Sequence, residues 1–163
     1  MSKIREDHRI FINRLKFLKS MKNILVSIDF HDKTRLLIEQ AVNLARAFKS
    51  KIWLIHMAAP DPDFVGYGPG PEYIREDRAI DLKNEHELLR RYRIEMRENG
   101  LDTEALLIQG ATVETILDEI ERLNIDLIIL GHHEHSIIYN LFHESVSDKV
   151  IQKSNIPMLI IPF

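Results

Sequence analysis

From Lys22 onward the apolar residues alternate between two spacings. NILVSI, Asn23 to Ile28, is a nearly continuous β-branched and apolar run ended by Asp29, the pattern of a strand covered on both faces. Leu37, Ala41, Leu44, Ala45 and Phe48 then recur at helical spacing, with Arg35, Glu39, Asn43 and Arg46 elsewhere on the wheel. KIWLIHM, Lys51 to Met57, predicts a second strand. APDPDFVGYGPGP follows, with four of the chain's six prolines and three of its six glycines, and no regular element survives such a stretch.

A long charged helix is predicted from about Glu72 to Asn99, with Ile80, Leu88, Tyr92 and Met96 inward and Gly100 as its C-terminal cap. Thr103 to Gln109 reads as the third strand. Thr112 is the expected N-cap of a helix with Val113, Ile116, Leu117 and Ile120 on one face. Asp126 to Leu130 reads as a fourth strand ending at Gly131. A last helix carries Phe142, Val146 and Val150, and IPMLIIPF closes the chain as strand five. Strands alternating with helices at this spacing predict an α/β fold, a doubly wound five-stranded parallel sheet sandwiched by helices. In such sheets ligands lie at the carboxyl ends of the strands, here near Asp29, Met57 and Gly131.

Composition narrows the function. A length of 163 residues suits one domain, and a net charge of -3 excludes a protein that advertises nucleic-acid binding by bulk basicity. The chain has no cysteine, which removes disulfides, thiolate metal sites and a cysteine nucleophile. Its longest apolar run is far short of a membrane span. The expectation is a soluble, cytoplasmic protein with neither nucleic acid nor membrane as partner. Residues 1–20 stand apart as a basic N-terminal extension to a domain at 21–163: Lys3, Arg5, Arg9, Arg14, Lys16 and Lys19 outnumber Glu6 and Asp7. Ile4, Phe11, Ile12, Leu15 and Leu18 form one helical stripe there, suited to a partner, an anionic surface or the chain's own domain; a frayed extension is the alternative.

MKNILVSIDF, LIHM, the block GATVETILDEIERLNIDLIILG and the closing SVSDKVIQKSNIPMLIIPF together resemble the universal stress protein family, in order and at family spacing from Met21 to Phe163. The resemblance implies a five-stranded parallel α/β sandwich, a homodimer formed through the C-terminal strand, and a non-enzymatic stress-response module with a regulatory protein partner. The apolar strand IPMLIIPF agrees with the dimer, because an uncovered edge strand is a liability; closure by Pro157 and Pro162 or by the N-terminal segment is the alternative.

One branch of that family binds ATP through G-x-x-G, nine residues, then G-[ST]. On this chain the pattern falls on Gly131, Glu134, Glu144 and Ser145, so two of three glycine positions carry glutamate. By the same resemblance, adenine and ribose contacts fall on Ser27, Ile28, Asp29 and Met57, and His133 matches a histidine common in the family's loop. Glycine in such a loop adopts positive φ and lets backbone N–H groups approach phosphate. Glutamate does neither well, and two unit charges about 4 Å apart repel by roughly 4 kcal/mol at an effective dielectric of about 20. The resemblance therefore implies a module that requires no cofactor and lacks standard ATP affinity, with an adenine nucleotide sensor (ATP or AMP) as the alternative. A second alternative is a metal site at His132, His133 and His135, with Glu134 or His143, since imidazole and carboxylate suit zinc or nickel.

No remaining motif argues for turnover, and a weak ATPase stays open. There is no nucleophile elbow, no Walker-type phosphate loop and no acidic pair of the kind a receiver domain needs. His56, inside an apolar strand, reads as a hydrogen-bonded core histidine. The proline-glycine stretch keeps two readings, a lid with Phe64 or Tyr67 against a base, or a surface excursion.

Overall fold

A computed structural model describes residues 21–30, 32–58, 72–109, 113–132 and 146–162. The elements run β1 (Asn23–Ile28), α1 (Thr34–Phe48), β2 (Lys51–Ala58), α2 (Glu72–Glu98), β3 (Thr103–Gln109), α3 (Val113–Arg122), β4 (Leu127–His132), α4 (Val146–Lys153) and β5 (Met158–Pro162). The five strands form one sheet in the order β3-β2-β1-β4-β5, and every neighbouring pair is parallel. The expected α/β doubly wound sheet is therefore the observed one.

Period-two alternation sorts the strand residues onto two cores. Ile24, Val26 and Ile28 of β1 join Ile52, Leu54 and Ile129 under Leu37, Ala41 and Ala45 of α1 and Leu89 and Met96 of α2. Leu25, Ile55, Ile128 and Leu130 face the other way, against Val113, Ile116 and Ile120 of α3 and Val150 of α4. The chain lays down β1, β2 and β3 with one pair of helices. It then crosses back over β1 to β4 and β5 with the other pair. The direction of winding therefore reverses between β1 and β4.

Three helices end in the left-handed conformation, at Lys49 (φ 57°), Gly100 (φ 78°) and Asn124 (φ 50°). After α2 the Leu101 N–H donates to the Met96 carbonyl and the Gly100 N–H to the Arg97 carbonyl, the two bonds of a Schellman cap. The expected cap at Gly100 is thus observed. At each of the three ends the αL residue turns the chain within a few residues into the next strand. Lys51, for instance, enters β2 with its N–H donating to the Lys22 carbonyl.

The inward faces differ in detail from expectation. In α2 Leu89 is buried where Leu88 was expected, and Leu88 and Ile80 are exposed. One helical step is 100°, so a helix poor in apolar residues leaves the choice between neighbours to packing. In α1 Phe48 is likewise exposed, because the left-handed turn begins at Lys49. The polar flank of α2 is held by Arg90 and Arg91 on Glu87, at 2.8 and 3.2 Å. Hydrogen bonds from Arg90 and then Arg91 hold the Glu87 carboxyl down at about 2. The expected Phe142 and Thr112 lie outside the described residues.

Candidate functional site

The sheet opens where the winding reverses. The ladder between β1 and β4 runs over Ile24–Leu127, Leu25–Ile128 and Val26–Ile129 and stops there, although β1 continues to Ile28 and β4 to His132. Beyond that point each strand stays with its outer neighbour. Ser27 and Ile28 pair with Ile55 and His56 of β2, while Gly131 and His132 pair with Ile161 and Pro162 of β5. The result is a notch at the carboxyl edge, floored by Val26 and Ile129, in the crevice position that α/β sheets use for ligands.

The sequence-predicted residues distribute around this notch. Ser27 is half-buried and Asp29, the first residue past β1, is exposed. Met57 is half-buried and packs on the α3 side of the sheet, the side that Ser27 shares by alternation. Ile28 points the other way and is buried in the α1 core, so a ligand can reach only its backbone. Gly131 was expected to end β4; instead β4 runs through it to His132 because β5 continues the ladder to Pro162. His133, Glu134, His135, His143, Glu144 and Ser145 lie outside the described residues, as does the whole of 59–71. Among the described residues no three His, Asp or Glu side chains converge as metal ligands.

Under the notch lies a polar contact that connects β1 to α2. His56 is buried, and its Nδ1 lies 2.8 Å from the Ile28 carbonyl oxygen. A carbonyl only accepts, so Nδ1 carries the proton. The expected core histidine is thus hydrogen-bonded as predicted. Its Nε2 lies 3.7 Å from Glu85 Oε2 of α2, too long for a direct hydrogen bond, and the other Glu85 oxygen lies 4.0 Å from Arg78 Nη1.

Phe30 closes this group from the loop side. Its φ of 60° is unusual for an aromatic residue and costs on the order of 1–3 kcal/mol. Its ring lies 4.1 Å from the His56 ring centroid and 6.5 Å from that of Tyr92, stacked at 10° to the latter. Packing therefore offsets the backbone strain and sets the path of the chain leaving Asp29. Sequence reasoning missed Phe30 and Glu85: the first had only its place after a strand-ending aspartate as a signal, and the second had none among the acids of α2.

The consequence is testable. His56→Phe keeps the ring shape but leaves the Ile28 carbonyl without its donor, which costs about 1–3 kcal/mol. A urea midpoint lowered accordingly is the expected result. An unchanged midpoint would show that the bond contributes nothing net.

The amino end of the sheet is secured differently. Asp126 Oδ2 accepts from the backbone N–H groups of Lys22 and Asn23 at 2.7 and 2.9 Å, which fixes the start of β1 beside β4. Splaying at one end and clamping at the other place the opening of the sheet at the carboxyl edge. No helix among the described residues is long and apolar enough to cross a membrane.

The same fold is found in known proteins. The model of the universal stress protein family matches residues 21–162. Universal stress protein A of Salmonella typhi is 27% identical over 143 residues, which cover 86% of this chain and 94% of that one. The solved structure of UspA from Lactobacillus plantarum superposes with a TM-score of 0.71 at 19% identity, covering 87% of this chain and 98% of the other. A family protein from Arabidopsis thaliana, solved with AMP bound, superposes with a TM-score of 0.61 at 19% identity over 86% and 91% of the two chains. With a family match across nearly the whole of the doubly wound domain, this chain belongs to the universal stress protein family.

Proposed function

We propose that the chain is a non-enzymatic, cytoplasmic stress-response module that binds an adenine mononucleotide at the carboxyl ends of β1 and β2 and binds ATP far more weakly. One observation carries this reading. The notch between β1 and β4 opens beside Asp29 and Met57, and the sequence after β4 carries Glu134 and Glu144 at the positions to which the family's ATP-binding pattern assigns glycine. A nucleoside with one phosphate needs the first half of that site and little of the second. The AMP held by the Arabidopsis family protein supports the ligand class.

Two further elements belong to the same reading. β5 is an outer strand with half-buried Met158, Leu159, Ile160 and Ile161, and we assign it to a homodimer contact, since apolar edges of this kind are normally covered. A regulatory protein partner then reads the ligand state of the dimer.

Calorimetric titration and thermal unfolding with AMP, with ATP and magnesium, and with buffer alone test the proposal. AMP at 100 times its dissociation constant is expected to add about 2.7 kcal/mol of stability. ATP is expected to need at least about tenfold more ligand for the same effect, a difference of about 1.4 kcal/mol. Equal or tighter ATP binding would sink the monophosphate preference, and no response to either nucleotide would sink the adenine reading altogether.

A further inference from the structure

A groove of about 430 Å³ runs between α1 and α2, on the face of the sheet away from α3 and α4. Ile38, Val42, Tyr92, Met96 and Leu101 form its floor, and Arg35, Glu39, Arg46 and Glu95 stand on its rim. An apolar floor inside a polar rim is the composition of a surface that takes an amphipathic segment. We infer that residues 1–20 of this same chain dock there, with the stripe Ile4, Phe11, Ile12, Leu15 and Leu18 on the floor.

Position argues for that occupant. α1 and α2 both run toward the amino edge of the sheet, so Arg46, Asn99 and Leu101 mark the groove's lower end. Met21, where residues 1–20 join the domain, is buried in the same core cluster as Met96 and Leu101. The Ser50 hydroxyl at the end of α1 donates to the Met21 carbonyl and holds this junction on the groove side. The segment therefore starts at the foot of the groove.

Length and charge agree. The groove-lining stretch Arg35 to Arg46 spans about 18 Å at 1.5 Å per helical residue, and a helix from Ile4 to Leu18 spans about 22 Å. Two residues separate Leu18 from Met21, so the stripe is presented to the groove at an effective concentration on the order of millimolar, and a weak contact suffices to fill it. Six basic and two acidic residues give the segment +4. The remaining sixteen basic and twenty-three acidic residues give the domain -7, and the two attract.

The 163-residue chain tests this directly, because it has no cysteine and two introduced ones carry spin labels without ambiguity. Asn13→Cys lies opposite the apolar stripe, Asn43→Cys lines the groove, and Asn155→Cys, on the turn after α4, serves as control. A docked helix lies about 8–10 Å from its neighbours' axes, so the Asn13–Asn43 pair is expected to give a narrow distance distribution below about 25 Å. The Asn13–Asn155 pair is expected to be long. Leu15→Asp with Leu18→Asp should broaden the first distribution while leaving the circular dichroism and the unfolding midpoint of the domain cooperative. A broad Asn13–Asn43 distribution in the otherwise native chain, or a short control distance, overturns the assignment. A groove signal that vanishes on dilution with unlabelled protein also overturns it, because the segment of a second copy would then be the occupant.

Discussion

Replacing Glu134 and Glu144 together by glycine is expected to tighten ATP binding by about 100-fold, equivalent to about 2.7 kcal/mol, with AMP affinity changed by less than about threefold. The size follows from charge. A carboxylate held about 4 Å from a phosphate charge would cost roughly 4 kcal/mol at an effective dielectric of about 20, and salt screening with turning of the side chains toward water removes most of that. Two variants separate the causes: Glu134→Gln with Glu144→Gln removes charge but keeps a Cβ, whereas glycine also restores backbone freedom. If glutamine recovers the whole gain, repulsion alone weakens ATP; if only glycine does, the loop backbone must reach positive φ to hold phosphate. Calorimetry at fixed magnesium and ionic strength decides, and an unaltered ATP affinity in both variants would refute the role given to the two acids.

The second large effect concerns the floor of the notch. Ile129 is completely buried, sits in register between Val26 of β1 and Leu159 of β5, and packs in the cluster under α1. Ile129→Ala removes three heavy atoms from a site enclosed on both strand sides, and large-to-small substitutions of this kind cost about 2–5 kcal/mol. For a domain of this size the melting temperature should fall by about 10 °C. Ile129→Val, which leaves a smaller void, should cost about 0.5–1.5 kcal/mol. Denaturant unfolding measures both, with the midpoint lowered and the slope unchanged. A loss below about 1 kcal/mol for the alanine variant would mean that the β1–β4 floor collapses to fill the space.

Much of this molecule is legible one element at a time. The stretches at 23–28 and 103–109, read as strands, match β1 and β3 to the residue, and Gly100 caps α2 as its position past a charged helix requires. Leu37, Ala41, Ala45, Val113, Ile116 and Ile120 are buried as helical periodicity orders them. These features are local: spacing of 2.0 or 3.6 residues, and a glycine where φ must be positive, are properties of a few consecutive residues. Where α2 carries few apolar side chains, the same reasoning chose Leu88 and Ile80, and packing chose Leu89.

Sequence by itself thus determined the order and kind of the elements, which residues alternate into the two cores, the family, and the presence of Glu134 and Glu144 after the fourth strand. It did not contain the neighbour relations. That β1 leaves β4 above Val26 while β4 follows β5 through Gly131 to His132 is decided by which strand offers the better ladder at each rung. That His56 holds the Ile28 carbonyl, with Phe30 on its ring and Glu85 beyond, depends on contacts between residues 26 to 29 positions apart in the chain. That α1 and α2 leave a groove at the foot of which Met21 lies is a property of two helices on one face of a sheet. Local periodicity sets which way each side chain faces, and only the packing of distant segments against one another settles what it meets there.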